Sequence, residues 1–244
     1  MMAMAPNPSF SPLYRQIKAL LLAALEGGEW RPGEAIPSEQ ELAARFQVSQ
    51  GTVRKAIDEL VAENLLVRKQ GKGTFVVSHS DPRQFYRFLR LRRDDGEWVQ
   101  AVSVPIDCWR AKAGQEASRV LQIALGAPIV ILRRVLRFDK KPLVLDEIYL
   151  PGDLFESFSL DALKEWRGSL YSFFESRFGI RMVRAEERLK AVAADRLCAE
   201  VLGVPERSPL LFVERVTFTY NDRPVEWRKG YYATETYHYY NELT

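Results

Sequence analysis

Three observations predict an α+β chain in two parts. Between residues 11 and 65, apolar residues recur at helical spacing in three stretches, each bounded by a capping or stopping residue. Residues 66–77 then hold two short β-rich runs around a basic, glycine-flanked turn. Beyond residue 84, six runs rich in Val, Ile, Leu and Tyr are interleaved with three helical stretches, the pattern of a mixed, mainly antiparallel α+β domain. A length of 244 residues and a hydrophobic fraction of 47% suit two globular cores.

The elements follow in order. Residues 1–10 are expected to be a disordered tail. Ile17, Leu20, Leu21 and Ala24 place one apolar side on a first helix, stopped by Gly27 and Gly28. Pro37 and Ser38 open a second helix, with Ser38 as N-cap and Glu41 reaching back to complete a capping box. After the turn Gln47-Val48-Ser49, Ser49 caps a third helix whose Val53, Ala56, Ile57, Leu60 and Val61 form a single apolar face. The opposite face offers Gln50, Gly51, Thr52, Arg54 and Lys55 with no acidic residue among them, the groups a recognition helix presents to bases and phosphates. Leu66 and Val67 start a strand, Arg68 to Gly73 turns, and Thr74 to Val77 returns, forming a wing. Residues 11–77 thus have the layout of a winged helix-turn-helix DNA-binding domain. A winged helix serving only protein contacts is the alternative, and it leaves the basic wing without a role.

Charge total does not decide between them. The chain carries +3, and residues 1–77 hold nine Lys or Arg against eight Asp or Glu, so the argument rests on placement. The longest uncharged apolar run, Ala19 to Leu25, falls far short of the roughly 20 residues of a membrane span. Cys108 and Cys198 sit in separate apolar-rich segments and read as buried free thiols of a reducing cytoplasm. His79 and His238 are the only histidines, so no metal site and no cofactor is expected.

Residues 11–77 resemble the N-terminal domain of the GntR family of bacterial transcription regulators. The family pattern, roughly L-P-S-E, L-A, V-S-R, T-V-R, G-L and G-x-G-T-F-V, stands here as IPSEQELAARFQVSQGTVRKAIDELVAENLLVRKQGKGTFV. Ile36 replaces Leu, Gln50 the usual Arg, and Asn64 the usual Gly; Asn tolerates the left-handed backbone that Gly would take. The resemblance implies base and phosphate contacts at Gln40, Gln50, Arg54, Gln70 and Gly71, flanked by Ser49, Lys72 and Gly73. Gln suits adenine where Arg suits guanine, so the operator is expected to differ from commoner family sites.

Residues 78–84, with Asp81-Pro82, read as a linker to a domain at 85–244. Strands are expected at 98–106, 129–138, 142–150, 181–191, 210–220 and 225–235. Helices are expected at 114–125, 168–178 and 194–202, stopped by Gly126, Gly179 and Gly203. Asp139-Lys140-Lys141 and Asn221-Asp222-Arg223 read as hairpin turns. Residues 117–150 and 196–232 echo each other: a helix, a Gly stop, a strand with Arg-Val, a turn, a Pro and a second strand. Duplication about a pseudo-twofold axis, with a pocket between the halves, is one account; convergent hairpin chemistry is the other.

Residues 85–240 resemble the HutC-type branch of the GntR family, whose C-terminal (UTRA) domain has a chorismate-lyase-like fold and binds small effectors. Arg134, Asp146 where the branch usually has Glu, Gly168-Ser169-Leu170-Tyr171 and the ending from Glu226 to Tyr232 carry the likeness. It implies an effector pocket lined by Arg134, Asp146, Ser169, Tyr171, Glu226 and Tyr232. Each has a second reading: a cross-strand ion pair for Arg134 and Asp146, an N-cap for Ser169, a solvated strand residue for Glu226, core packing for the two tyrosines. Phe85, Tyr86 and Phe88, with Arg87 and Arg90, form either a pocket wall or an apolar strand edge. Leu136 stands where sugar-phosphate-sensing relatives have a second basic residue. Arg137 is expected on the opposite strand face unless a bulge returns it. One guanidinium and the start of a helix near Ser169 suit a carboxylate effector with an apolar body.

Together these features predict a homodimeric repressor that binds a near-palindromic double-stranded operator and is released by a small metabolite. The rival is a lyase-like enzyme with a DNA-binding appendage, using Glu226 as acid or base and Arg134 as carboxylate clamp. No catalytic residue is assigned, since no nucleophile-base pair, metal site or cofactor loop is found.

Overall fold

The computed structural model describes residues 11–81, 88–97 and 99–242. The expected tail, the linker residues 82–84, Phe85, Tyr86, Arg87 and the expected strand start at Trp98 lie outside them. The chain divides into two compact units, Met1–Ser78 and His79–Thr244.

In the first unit, α1 (Leu13–Glu26) buries Ile17, Leu21 and Leu25. Leu20, expected inward, is 51% exposed. Its side turns away because Ile17, Leu21 and Leu25 take the side of α1 that packs on the third helix; on the flank, Lys18 Nζ pairs with Glu59 at 2.9 Å and with Glu63. Helix α2 (Glu39–Phe46) begins with the complete Ser38/Glu41 capping box and ends at Gln47, which is left-handed with φ 54°. Helix α3 (Gln50–Ala62) is capped by the Ser49 side chain and buries Val53, Ala56, Ile57 and Leu60. Asn64 takes the left-handed backbone, φ 57°. Strands β1 (Leu66–Lys69) and β2 (Gly73–Val76) pair antiparallel, Leu66 opposite Val76. The segment before α2 joins the wing: the Ile36 amide donates to the Thr74 carbonyl at 2.9 Å.

The second unit is built on one six-stranded antiparallel sheet. Its strands are β4 (Val102–Lys112), β5 (Pro128–Phe138), β6 (Lys141–Pro151), β7 (Arg184–Ala193), β8 (Pro209–Phe218) and β9 (Pro224–Tyr232). They lie in the order β4-β5-β6-β9-β8-β7. Short β3 (Leu91–Arg93) and β10 (Tyr237–Tyr239) pair separately. The hairpin turns hold Asp139 and Lys140, and Asn221 and Asp222, all at positive φ, the primed geometry that matches strand twist. Strand β4 runs six residues past its expected end, through a register shift between Pro105 and Asp107. Gly126 is not a helix stop: α4 (Gln115–Leu121) ends earlier, with Gln122 left-handed at φ 54°. Gly179 and Gly203 do end α6 (Leu170–Phe178) and α7 (Arg196–Leu202). The six-residue helix α5 (Leu160–Glu165) was not foreseen.

The strand order makes the echo a repeat: strand, helix, strand, strand occurs as β4-α4-β5-β6 and again as β7-α7-β8-β9, meeting at β6 and β9. The halves interlock, α4 packing on β9 and α7 on β6. Strand alternation divides the sheet into two faces. One carries Ile129, Ile131 and Trp227 beneath α4. The other carries Val130, Leu132, Ile148 and Leu150, packed in one core with the α6 residues Leu170, Phe173 and Phe174.

Candidate functional site

The residues expected to carry function fall into two groups, one in each unit. In the first unit, Gln40, Ser49, Gln50, Gly51, Arg54, Lys55, Gln70, Gly71, Lys72 and Gly73 are all exposed, and Thr52 is half-buried. Ser49 Oγ and Thr52 Oγ1 lie 2.8 Å apart at the start of α3. Lys55 is partly diverted, its Nζ 4.0 Å from the centre of the Tyr14 ring. The wing turns at Gly71 and Gly73, at φ 69° and 105°. Residues after Gln70 must reverse within three positions, which Gly allows at no steric cost.

A carboxylate not singled out in the sequence organises this face. Glu39, the first residue of α2, accepts from Arg54 Nε at 2.9 Å and from Arg68 Nη1 at 2.8 Å. Arg68 Nη2 in turn donates to Asp58 at 2.7 Å. Partial burial would raise the Glu39 carboxyl, but the bonds from Arg68 and Arg54 hold it below the usual carboxylate range.

In the second unit a cavity of about 480 Å³ opens on the α6 face of the sheet. Phe88, Ala101, Val102, Pro105, Leu136, Leu163, Trp166 and Leu170 give it apolar walls; Arg134, Arg215, Arg228, Ser169, Tyr171 and Tyr232 supply polar groups. Lys164 and Arg167 are exposed at its rim. Four of the six expected pocket residues therefore line it. Asp146 and Glu226 do not: both are 0% exposed and lie behind the wall as counter-ions. Asp146 Oδ2 accepts from Arg134 Nε at 2.9 Å and from Arg228 Nη1 at 3.2 Å. Glu226 accepts from Arg228 Nε at 2.9 Å and Nη2 at 3.0 Å, and from the Tyr171 hydroxyl at 3.1 Å. Arg134 and Asp146 are indeed cross-strand partners, but a buried pair rather than a surface one. Ser169 is an N-cap as well as a lining residue, its Oγ accepting from the Ser172 amide at 3.0 Å.

The expectation of a single guanidinium fails. Arg215 and Arg228 line the cavity too, both nearly fully buried. Arg215 donates through Nε to Glu187 at 2.6 Å, and through Nη2 to the Phe88 carbonyl. Three guanidiniums thus face three carboxylates, Asp146, Glu187 and Glu226. Burial would raise Asp146, but Arg228 and then Arg134 outweigh it and keep it ionised, below the usual carboxylate range. Arg137 is exposed and absent from the cavity despite a register shift between Leu136 and Arg137. Tyr232 is 2% exposed; burial pushes its phenol up to about 12, so its hydroxyl stays a donor. Gly230 makes room for that ring: a Cβ there would meet Tyr232 Cε2 at 2.6 Å and Asp146 Oδ1 at 3.0 Å.

Arg215 was within reach of sequence reasoning. The echo sets Arg215-Val216 where the first repeat has Arg134-Val135, and their cross-strand partners Arg228 and Asp146 are likewise equivalent. Glu39 had a signal too, as the Glu of the L-P-S-E pattern beside the capping Ser38.

Among the described residues, no group of three His, Cys, Asp or Glu is arranged to hold a metal ion, and no helix is long and apolar enough to cross a membrane. Cys108 and Cys198 are free thiols, Cys198 buried and Cys108 half-buried.

Comparison with known proteins agrees with this anatomy. Residues 13–76 match the family described as bacterial regulatory proteins, gntR family, and residues 99–238 match the UTRA domain. The chain is 31% identical over 216 residues to the "Probable fructoselysine utilization operon transcriptional repressor" of Escherichia coli, covering 87% of each. It is 29% identical over 244 residues to the transcriptional repressor NagR of Bacillus subtilis, covering 96% of each. Among solved structures, the ligand-binding domain of a GntR-family regulator from Bordetella bronchiseptica is 44% identical, with a TM-score of 0.64. That match covers 65% of this chain and 99% of the other. The chain belongs to the GntR family of bacterial transcriptional regulators: a DNA-binding helix-turn-helix domain joined to a UTRA domain through which a small metabolite modulates operator binding.

Proposed function

We propose that the protein is a cytoplasmic homodimeric repressor that two anionic-ligand sites, one per C-terminal domain, release from its operator. Residues 11–77 are assigned to the DNA-binding domain, 78–84 to the linker, with His79 buried against the second unit and its amide donating to Glu175 at 2.9 Å, and 85–244 to the effector domain. One short α3 and one wing bury too little DNA for operator affinity, so a twofold pair of them reading a twofold site is the arrangement that suffices. Base and phosphate contacts are assigned to the exposed residues of α2, α3 and the wing, from Gln40 to Gly73.

The observation that carries the effector assignment is the cavity whose polar floor is already charge-balanced. Each buried guanidinium has a carboxylate partner, so the floor itself carries little surplus positive charge for a dianion, and the other cations of the lining, Lys164 and Arg167, lie at the solvent-exposed rim. Inside the rim, the donors left over are the Tyr232 hydroxyl and the N-terminal amides of α6, which suit a monoanionic carboxylate; the apolar walls suit an apolar or aromatic body. The same arrangement favours a sensor over an enzyme. Asp146 and Glu226 are spent as counter-ions behind the wall, and neither is presented to a bound molecule as acid or base.

A thermal-shift screen of aromatic and aliphatic carboxylates against sugar phosphates tests this. A ligand at 100 times its Kd stabilises the folded state by about 2.7 kcal/mol. Carboxylates that raise the melting temperature should also lower affinity for an operator selected from random DNA, and Tyr232→Phe should weaken both effects. A response to phosphorylated sugars alone would overturn the carboxylate assignment, and recovery of a chemically altered ligand would overturn the sensor reading.

A further inference from the structure

The exposed basic face of the first unit has a carboxylate at its centre, which is electrostatically unfavourable for a surface that meets phosphates. Glu39 is nevertheless held there by three elements at once. Its side chain is 13% exposed, against 57% for Arg54 and 42% for Arg68. Oε2 accepts from Arg54 Nε, with Gln50 Nε2 at 3.4 Å; Oε1 accepts from Arg68 at the base of the wing. Surface ion pairs contribute roughly 0–1 kcal/mol to stability, too little to account for a negative charge in this position. The geometry accounts for it better. With Nε engaged, Arg54 is left with its Nη1 and Nη2 edge free, and that end-on fork is the shape that matches guanine O6 and N7 or two phosphate oxygens. A long, exposed side chain otherwise loses rotamer freedom on binding, and one fixed beforehand loses less.

We propose that Glu39 is a specificity-determining positioning residue: it holds Arg54 end-on toward the bases and ties the wing to α3 through Arg68, so that discrimination between sequences depends on it more than total affinity does. The inference rests on the reading that α3 enters the DNA groove. The test uses the full-length protein. Its preferred site is selected from random duplex DNA, and affinities for that site and for an unrelated duplex are then measured across a salt series. Glu39→Ala and Glu39→Asp, the second keeping the charge but shortening the reach by one methylene, should each lower the ratio of specific to non-specific affinity by roughly tenfold. Glu39→Ala should in addition bind the unrelated duplex more tightly than wild type. A residue needed only for folding would lower both affinities together and leave the ratio alone. An unchanged ratio in either variant, with Arg54→Ala reducing it, overturns the role of Glu39 while sparing the DNA-reading helix. An unchanged ratio in Arg54→Ala overturns that reading and this inference with it.

Discussion

Removing Arg228 should expose how much the cavity floor depends on charge pairing. Its guanidinium donates to Asp146, twice to Glu226, and to the Tyr171 hydroxyl at 3.4 Å, and all four side chains are buried. Arg228→Met keeps much of the volume and removes the charge. Asp146 then has only Arg134, and Glu226 only the tyrosine hydroxyl. Breaking a buried pair by removing one partner costs about 3–5 kcal/mol. For a domain of this size, at roughly 2–4 °C per kcal/mol, the C-terminal unit should melt about 6–20 °C lower at neutral pH. The pH dependence has a definite sign. Asp146 is held below its ordinary value in the wild type, so its pairing stabilises the fold above the unfolded pKa of about 3.9 and is lost as pH falls through the lower folded value. In the variant Asp146 lacks its stronger cationic neighbour and protonates at higher pH. The gap between variant and wild type should therefore narrow from pH 7 towards pH 4. Scanning calorimetry of both proteins across that range reads it directly, and Arg228→Met/Glu226→Gln should recover part of the loss. A deficit below about 1 kcal/mol at pH 7, or one that widens on acidification, would refute the counter-ion argument.

Gln50→Arg should move the sequence selected from random DNA towards guanine at one symmetric pair of positions; an identical selected site would mean that residue 50 touches no base. Lys72→Ala, on the exposed wing turn, should flatten the salt dependence of operator affinity by roughly one unit for one lost phosphate contact. Gly230→Ala should displace the Tyr232 ring, which its Cβ would meet at 2.6 Å, and thereby abolish the thermal shift that a cavity ligand produces. A wild-type ligand response in that variant would place the effector elsewhere.

What was legible in the sequence was local. Ser38, Glu41 and Ser49 bond within three residues of themselves, and the wing closes over a handful, so spacing alone located them. The cavity floor is not local. Arg228 meets Asp146 across 82 positions, and the Phe88 carbonyl meets Arg215 across 127. No periodicity carries such pairings, so a pocket expected to hold one guanidinium holds three. Helix α5 and the β3–β10 pair were missed for a different reason: six and three residues are too few to show a period. Leu20 shows the limit of the apolar stripe itself: the inward side of α1 is taken by Ile17, Leu21 and Leu25, which leaves Leu20 outside it.

The repeat also explains why the floor is charge-balanced. An exact twofold sheet would set identical residues across the β6–β9 seam, two arginines or two aspartates at the sites of Asp146 and Arg228. Like charges that close in a dry interior are strongly repulsive. Instead the equivalent sites carry opposite charges, and the two side chains meet at 3.2 Å. Arg134 and Arg215, equivalent and alike, are each balanced separately, by Asp146 in one half and by Glu187 on β7 in the other. The asymmetry continues above the sheet, where α5 and α6 lie between the two repeats in sequence and cover this face, so the near-symmetric floor is capped unequally and the cavity above it has a polar end. That end is where α6 begins, with Ser169 and Tyr171 on the cavity wall and Tyr171 bonded to Glu226 below. On the proposed effector assignment, a ligand anion at the start of α6 would compete for the same hydroxyl that ties the helix to the charge network, and Tyr171 would be the residue through which the floor feels occupancy.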